Sequence, residues 1–340
     1  MRKWIFITTI LVTMLGLVAC GNTSNNSSAG GKQTSSGKTE FLTIGAPPAS
    51  SALYGYWVAA TKAIEKVYPE LKFTVTESQG AVDISKRVRN GMVPVGNSVS
   101  STDYESYNGL GSFKDEPFKD LRLIWYFDST PIQWIVTKDS GVKELIDLNG
   151  KKFNPGSTNS SAEAITKIVF EELGIEPDYF PAVQADAADA VVNRQIIGTS
   201  KAGPAPDSFV QQIQGSLDID LLSIPEEDIK KITEKYKYLV PYTIPAGTYE
   251  GIDYDVHTVT VLMGAQTTSK LPKDIGYKML KAISEDGKND IDTAYPIGAK
   301  NDITELTLNS QVPLHAGAVQ YLKEIGIEVP EELIPPEYEE

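Results

Sequence analysis

The chain has 340 residues, of which 41% are hydrophobic and 22% are charged, enough apolar sequence for one large core or two smaller ones. Acidic residues outnumber basic residues by 45 to 31, and the formal net charge is −14. So acidic a chain is unsuited to nucleic acid or a bare anionic membrane, because both would repel it.

The first twenty residues have the features of a secretory signal peptide. Arg2 and Lys3 precede an apolar run from Trp4 to Ala19, and Cys20, the single cysteine of the chain, follows. The ending Leu-Val-Ala-Cys resembles a bacterial lipobox, in which the cysteine is acylated and becomes the first mature residue. We therefore predict a lipoprotein signal peptide at 1–19 and a lipid anchor on Cys20, with a plain secreted protein as the alternative.

A flexible tether is predicted at residues 20–39, which are almost wholly Gly, Ser, Asn, Thr and Lys and cannot bury enough apolar surface to fold. Loss of residues 1–19 would remove two positive charges and no negative charge, which lowers the net charge from −14 to −16. The remaining chain has no apolar run of membrane-spanning length, so the acyl group would hold the protein to the membrane. We expect an extracytoplasmic protein on the outer face of the cytoplasmic membrane, and a monomer.

Apolar periodicity predicts alternating strands and helices in the mature chain. The first predicted elements are a strand at 41–45, a helix at 53–67, a strand at 71–76, a helix at 80–90, a polar loop at 97–109, and strand-like runs at 121–127 and 132–137 joined through Ser129-Thr130-Pro131. The next are a strand at 151–154, a helix at 160–173, a strand at 179–183, a helix at 185–194, a strand at 196–200, a helix at 206–213 and a strand at 219–224. Strands separated by helices indicate parallel sheets with crossover helices.

A strand at 256–263 is apolar enough to cross back, and helices at 272–283 and 316–325 would complete the first lobe. The predicted boundaries are 40–135 for the first part of lobe 1, 136–245 for lobe 2, and 246–340 for the return strand and the second part of lobe 1. The fold class is α/β, with each lobe a mixed, mostly parallel sheet flanked by helices. Two crossings between the lobes predict a hinge.

Residues 148–174 read as a strand, a polar loop and a helix in direct succession. Pro155-Gly156 ends the strand, and Ser160 and Glu163 have the spacing of a capping box. The free N–H groups of the first helical turn and the helix dipole would hold a small anion without a basic side chain. The alternative is that the hydroxyl groups of this loop only cap the helix.

Three polar loops follow predicted strands, at 46–54, at 78–80 with 97–104, and at 156–161. Ligands bind at the carboxyl ends of the strands in open parallel sheets, so we predict that these loops contact a ligand. The candidate residues are Ser50, Ser51, Tyr54, Gln79, Ser100, Tyr104, Ser157, Thr158, Asn159 and Ser160.

Four motifs, in this order and spacing, resemble the solute receptors of the TAXI group of TRAP transporters: YNG at 107–109, DLNGKKFNPGST at 147–158, GTYEGIDYDVHTVTV at 247–261 and PLHAGAVQYLKEIG at 313–326. The resemblance runs over roughly residues 40–335. It implies a two-lobed type II periplasmic-binding-protein fold with two interlobe crossings. It also implies closure on a small organic acid, an amino acid or a dicarboxylate, which is delivered to a multi-span TRAP permease.

The chain departs from that family where the usual ligand contacts lie. Residues 45–54 read GAPPASSALY in place of a glycine-rich loop, and Ser78 to Ala81 and Val99 to Ser101 replace two other family motifs. Lys201 stands where the family has an apolar residue, and Gly203 should turn the chain at the cleft wall. We predict that Lys201 pairs with a carboxylate of the ligand, and a lysine turned outward to solvent is the alternative.

An enzyme and a cofactor are not expected, because the sequence has no GxSxG, GxxxxGK or HExxH motif and no cysteine nucleophile in the body of the chain. The rivals are the binding protein of an ABC importer and a surface-anchored enzyme of the same fold. A neighbouring gene for a fused permease would favour the TRAP transporter, and one for an ATPase would favour the ABC importer.

Several other residues are interpreted as structural. His257 and His315 have no second ligand at metal-binding spacing, so no metal site is expected. Trp125, Phe127 and Trp134 indicate core or hinge packing. The acidic end of the chain at 331–340 is interpreted as solvated.

Overall fold

The computed structural model describes residues 39–49, 51–158 and 160–339. The signal peptide, Cys20, the tether up to residue 38, Ser50 and Asn159 lie outside the described residues. Within them, strands alternate with helices as the periodicity predicts.

The described strands, in chain order, are β1 Glu40–Ala46, β2 Leu71–Glu77, β3 Val95–Val99, β4 Leu121–Thr137, β5 Lys152–Asn154, β6 Asp178–Tyr179, β7 Gly198–Ala202, β8 Ile219–Leu222, β9 Val240–Ile244 and β10 Val256–Thr268. The described α-helices are α1 Ala52–Val67, α2 Ala81–Arg89, α3 Ser100–Asn108, α4 Ser161–Leu173, α5 Gln184–Val192, α6 Ser208–Gln214, α7 Glu226–Lys235, α8 Lys273–Ser284, α9 Lys288–Ala294, α10 Ile303–Leu308 and α11 Ala316–Glu324.

The strand order is the same in two parts of the sheet. In the first half, β1 lies between β2 and β3 and is parallel to both, followed by the antiparallel β10 and then β4, which gives the order β2-β1-β3-β10-β4. In the second half, β5 lies between β6 and β7, followed by the antiparallel β4 and then β8, which gives β6-β5-β7-β4-β8. The predicted repetition of the strand and helix pattern is therefore confirmed, while the lobe boundaries stay predictions.

The long strand β4 belongs to both halves. Residues 121–131 pair with β10, and residues 132–137 pair with β7 and β8. The prediction of two runs joined at Ser129-Thr130-Pro131 is wrong, because one continuous strand passes through these residues. Pro131 cannot donate a backbone hydrogen bond, but its carbonyl accepts one from the Gly203 N–H at 3.3 Å.

Buried aromatic rings fill the core on both sides of β4. The indole N–H of Trp125 donates to the Tyr56 hydroxyl at 3.0 Å, and that of Trp134 donates to the Thr166 hydroxyl at 3.1 Å. Phe127 stacks on Tyr56 with 3.4 Å between ring centroids. The packing role predicted for Trp125, Phe127 and Trp134 is confirmed, and each ring buries on the order of 150–250 Å².

Helix α3 is a correction, because residues 97–109 were expected to form a loop. The buried residues of α3 are Ser100, Thr102, Asp103 and Ser106, so its inner face is polar. Hydrophobic periodicity detects only helices that bury an apolar stripe, and α3 has none.

Several shorter elements also differ from the expectation. The predicted strand at 179–183 is reduced to β6, which ends before Pro181, and the pairing beyond it is limited to one parallel bridge between Ser157 and Ala182. Strand β9 and helices α9 and α10 were not predicted.

The acidic residues Glu331, Glu332, Glu337 and Glu339 are exposed, in line with the interpretation of this segment as solvated, but the segment also contacts the first half. Glu337 accepts two hydrogen bonds from the buried Arg122 guanidinium, at 2.7 and 2.8 Å. Lys273 and Lys323 lie over the Tyr338 ring, 4.6 and 4.9 Å from its centroid. These contacts fix the last turn of the described chain against β4, α8 and α11.

Candidate functional site

The carboxyl ends of the parallel strands in the two halves point toward each other along β4. Val99 at the end of β3 lies opposite Met263 of β10, which in turn lies opposite Asp128 of β4. Ala202 at the end of β7 lies opposite Ile132 of β4. Since β3 is parallel and β7 antiparallel to β4, the two ends face each other from levels about 13 Å apart along the strand.

The second half contributes a polar cavity of about 220 Å³ at this edge, and we call it the second-half cavity. It lies where β5 and β7 end and where α4, α5 and α6 begin. Its lining residues are Asn154, Ser157, Ser160, Ser161, Ala162, Gln184, Thr199, Ser200, Lys201, Ala202 and Phe209. One ammonium group, several hydroxyls, two amides and one aromatic ring therefore surround a space for a small molecule.

Gly156 brings the loop after β5 onto the start of α4. Its φ of 122° is rare for residues with a side chain, and a Cβ at this position would lie 2.6 Å from the backbone nitrogen of Glu163. The same nitrogen donates to the Ser160 hydroxyl at 3.2 Å, so Ser160 is the N-cap of α4, as predicted.

The first turn of α4 can accept an anion. The backbone N–H groups of Ser161 and Ala162 have no hydrogen-bond partner among the described residues, and both residues line the second-half cavity. The amino end of a helix carries a partial positive charge. This wall of the cavity therefore favours a carboxylate.

The side chain of Lys201 forms another wall of the cavity. Its ammonium donates to the carbonyl of Ala202 at 2.9 Å and lies 3.8 Å from a carboxylate oxygen of Asp207. Asp207 also caps α6, because its other oxygen accepts from the Phe209 N–H at 2.8 Å. Two contacts therefore hold the lysine at the cavity, and the third donor of its ammonium group is available.

Buried hydrogen bonds fix the floor of the cavity. The Thr199 hydroxyl donates to the amide oxygen of Asn154 at 2.7 Å, and the Ser200 and Thr166 hydroxyls are 2.7 Å apart. The hydroxyls of Ser157 and Ser161, by contrast, have no partner among the described residues. They are available to a ligand without loss of an existing hydrogen bond.

Comparison with known proteins identifies the family of the chain. A profile of the NMT1-like family matches residues 44–326. The chain belongs to the NMT1-like family. Its fold is similar to that of a TctC solute-binding protein from Polaromonas, solved without ligand, with a TM-score of 0.55, 16% sequence identity and coverage of 76% of this chain and 88% of that chain.

Two further structures have lower scores. MatC from Rhodopseudomonas palustris with bound malate has a TM-score of 0.48 at 14% identity, covering 76% of this chain and 88% of that chain. The probable amino-acid ABC transporter extracellular-binding protein YtmK from Bacillus subtilis has a TM-score of 0.48 at 14% identity, covering 77% and 97%. Identities this low bear on the fold alone, and the predicted α/β fold of type II periplasmic binding proteins is confirmed by the TctC structure.

In this NMT1-like chain the residues predicted at 51–54 and at 79 lie on the first half. The Ser51 hydroxyl caps α1 by accepting from the Leu53 N–H at 3.3 Å, and Tyr54 is half-buried against the core. The exposed Gln79 precedes α2, and its backbone N–H donates to Asp83 at 3.0 Å. None of these predicted residues lines the second-half cavity.

Ser100 and Tyr104 lie on α3, also in the first half. The Ser100 hydroxyl donates to the carbonyl of Tyr238 and accepts from the Leu262 N–H, both at 3.0 Å. The Tyr104 ring packs 5.5 Å from the Tyr238 ring. Ser100 is therefore already engaged within the protein, and its contact with a ligand stays a prediction.

The other predicted residues surround the cavity loops. Ser157, Ser160 and Lys201 line the cavity, while the Thr158 hydroxyl donates to the Ala182 carbonyl at 3.2 Å. Gly203 follows Lys201, and its carbonyl accepts from the Gln133 amide at 3.0 Å.

Sequence reasoning missed seven lining residues: Asn154, Ala162, Gln184, Thr199, Ser200, Ala202 and Phe209. Ser161 also lines the cavity and lies in the predicted loop at 156–161, but it was not among the candidate residues. Thr199 and Ser200 stand directly before Lys201, so hydroxyls near a strand end were a usable signal. Phe209 offered no such signal, because a phenylalanine at the start of a helix most often packs in the core.

The first half holds an unusual buried carboxyl group, Asp103. The hydroxyls of Ser98 and Tyr126 donate to one of its oxygens, the latter at 3.1 Å, and the other oxygen has no partner among the described residues. Burial raises the pKa of Asp103 to about 7, although these hydrogen bonds favour the carboxylate. Asp103 therefore changes its charge near neutral pH.

A larger cavity, of about 660 Å³, lies away from the facing strand ends. It is an open groove beside β8 and α7, lined by apolar residues such as Leu145, Ile146 and Tyr254 and by Asp220 and Glu226. The second-half cavity is the better candidate, because polar groups converge there at the carboxyl ends of parallel strands.

Within the described part of the chain, no three His, Cys, Asp or Glu residues are grouped so that they could hold a metal ion. His315 caps α11 by accepting from the Gly317 N–H at 3.2 Å, and its other ring nitrogen contacts the Leu271 carbonyl at 2.8 Å. No described helix is both long and apolar enough to cross a bilayer.

Proposed function

We propose that the chain is an extracytoplasmic receptor that closes on one small organic acid and delivers it to a membrane permease. The observation that carries the proposal is the position of the Lys201 ammonium beside the amino end of α4. Both lie at the edge where the strand ends of the two halves face each other.

The carboxylate of the ligand would bind between Lys201 and the first turn of α4. The hydroxyls of Ser157 and Ser161 would complete its hydrogen bonds, and Phe209 would contact the apolar part of the ligand. Closure would bring residues of the first half to the ligand, among them Ser51, Tyr54, Gln79, Ser100 and Tyr104. The cavity volume of about 220 Å³ limits the ligand to a small molecule.

More specifically, we propose that the protein is a TAXI-type receptor of a TRAP transporter, with no catalytic activity of its own. This assignment is supported by the four motifs that resemble this group and by the NMT1-like family match. The partner would be a multi-span permease, and the binding protein of an ABC importer remains the alternative. Lipid attachment at Cys20 would keep the receptor at the outer face of the cytoplasmic membrane.

A thermal-shift screen of the full-length protein over amino acids, keto acids and dicarboxylates tests the proposal. A ligand at a hundred times its dissociation constant should stabilise the protein by about 2.7 kcal/mol. Scattering should detect compaction with the same ligand. A clear response to a neutral sugar or a metal ion, with none to any carboxylate, would overturn the proposal.

The anchor is tested separately by cell fractionation. Two acyl chains on one diacylglyceryl cysteine suffice for stable membrane attachment. The wild type should remain with the membrane and Cys20→Ala should appear in the medium. Equal retention of both would contradict lipid attachment at this residue.

A further inference from the structure

Another cavity, of about 330 Å³, lies between the two halves of the sheet. It is lined by Asp128 and Ser129 of β4, by residues 204–206 after β7, by Tyr242 of β9 and by residues 296–301 between α9 and α10. We call it the crossing cavity. It differs from the second-half cavity in its charge, because its buried charged group is a carboxylate.

Asp128 is only 3% exposed and has no cationic partner in the described chain. Its carboxylate accepts from the Tyr295 hydroxyl at 2.6 Å, from the Ser129 N–H at 2.7 Å and from the Asn301 amide at 3.0 Å. All three donors are neutral. A buried carboxylate without a counter-ion is costly, and burial raises the pKa of Asp128 above its ordinary range.

A polar group near Asp128 lacks a hydrogen-bond partner among the described residues. The Thr130 hydroxyl is buried and has no hydrogen-bond partner among the described residues. Side chains two residues apart in a strand lie on the same face, so Thr130 is beside Asp128 on β4. Thr130 itself does not line the crossing cavity, so the group that faces an occupant there is the carboxylate of Asp128, which suits a positively charged group with N–H donors.

The rim of the crossing cavity has the opposite charge. Lys300 is exposed, and its ammonium forms no hydrogen bond or ion pair within the described part of the chain. Lys300 therefore does not serve as a counter-ion for Asp128, and its ammonium is available to an anionic group of the same occupant. Pro204, Pro206 and Pro296 supply apolar walls between the two charges.

We propose that the crossing cavity binds a primary ammonium group, with Asp128 as its counter-charge. The ammonium could belong to an amino acid whose carboxylate meets Lys300, which would be a site separate from the Lys201 site of the proposed function. It could instead belong to a free amine that carries no acid. Either occupant would contact both halves and would favour their closed arrangement.

Two matched series of compounds test this inference by calorimetry on the full-length protein. Each series is an amino acid, its deaminated acid and its decarboxylated amine: alanine, propionate and ethylamine, then leucine, 4-methylpentanoate and isopentylamine. The ammonium-bearing members should bind at least about tenfold more weakly to Asp128→Asn than to the wild type. Lys300→Met should weaken the binding of the amino acids, whose carboxylate meets Lys300. It should leave the binding of the amines unchanged.

Lys300→Glu keeps the test valid if Asp128→Asn folds poorly, because residue 300 is exposed. It should strengthen amine binding several-fold by placing a second negative charge at the rim. Equal binding of amino acids and their deaminated acids, or amine binding unaffected by both Asp128→Asn and Lys300→Glu, would overturn the inference.

The outcomes separate the inference from the proposed function. Acids that bind through Lys201 with no preference for an ammonium group would leave the receptor proposal intact and remove the role of Asp128. Amines that bind through Asp128, with no carboxylate bound anywhere, would support the inference and contradict the proposed ligand class. No binding by any member would overturn the inference alone, because the proposed function is tested by the wider screen over amino acids, keto acids and dicarboxylates.

Discussion

The two halves of the sheet share one strand order but use their polar residues differently. In the first half, Ser78 donates to the Ala46 carbonyl at 2.8 Å, and Ser100 is engaged at both its donor and its acceptor. In the second half, Ser157 and Ser161 line a cavity without partners among the described residues. The same kind of loop therefore serves the fold in one half and is open to a ligand in the other.

This difference shows what a hydroxyl-rich segment after a strand can and cannot indicate. The segment identifies the edge of the sheet where ligands bind, because strand ends collect there. It does not indicate which hydroxyls are already hydrogen-bonded, since the partners of Ser100 come from residues 238 and 262. Ligand contact depends on partners that are distant in the sequence.

The largest effect on stability is expected from Asp103, the buried carboxyl group of the first half. Because its folded pKa of about 7 lies above that of an unfolded aspartate, the free energy of unfolding should fall as pH rises from about 4 to about 7. The loss should be roughly 4 kcal/mol. Denaturant unfolding of the wild type and Asp103→Asn across this range measures it, because the stability of the wild type relative to the variant should fall by this amount as pH rises.

Asp139→Asn is the matched control for that experiment, because Asp139 is an exposed partner of Arg194 in a 2.8 Å ion pair. An exposed pair contributes little, so this variant should follow the wild-type curve to within about 1 kcal/mol. If the free energy of unfolding of the wild type and that of Asp103→Asn changed in parallel with pH, the raised pKa of Asp103 would be disproved.

A substitution at Gly156 should come next in size and should affect the second half. Gly156→Ala forces a Cβ against the start of α4 at a positive φ, which should destabilise the protein by roughly 3 kcal/mol and weaken ligand binding. Gly55→Ala in α1 is the control, since a Cβ there meets nothing within 4 Å. It should stabilise the protein by up to about 1 kcal/mol, and equal effects of the two changes would contradict the account of the loop.

Paired serine substitutions sharpen the comparison between the halves with smaller effects. Ser100→Ala removes a buried, doubly bonded hydroxyl and should cost about 1–3 kcal/mol of stability, with a smaller loss of ligand affinity than Ser161→Ala. Ser161→Ala should leave stability within about 0.5 kcal/mol and weaken ligand binding several-fold. Melting and calorimetry on both variants check this, and the reverse pattern would assign the ligand to the first half.

Much of the fold could be predicted because periodicity and turn residues act locally. The strands and helices around residues 151–224 were found within a few residues, and Ser160 was recognised as a cap from its spacing to Glu163. Helix α3 was missed because its buried face is polar. The continuity of β4 was missed because Pro131 is tolerated in a strand when only its carbonyl is needed.

The candidate site was predictable only in part. The loop at 156–161 was identified from its place after a strand and Lys201 from its departure from the family pattern, and the structure brings Lys201, Ser157 and Ser160 to one cavity. Phe209 and Gln184 reach the same cavity through helices that begin there, a meeting that sequence spacing does not encode. Asp128 directly follows the apolar run at 121–127 and was not singled out, because its burial depends on Tyr295 and Asn301, which are distant in the sequence.

The most direct test of the account is the affinity of Lys201→Met for the acid found by the screen, measured by calorimetry beside the wild type. A charged hydrogen bond in a closed site contributes roughly 1.5–3 kcal/mol, so the variant should bind about ten- to a hundredfold more weakly. Lys230→Met on the exposed face of α7 should bind like the wild type. An affinity of Lys201→Met within about twofold of the wild type would contradict the central claim that this lysine holds the ligand carboxylate.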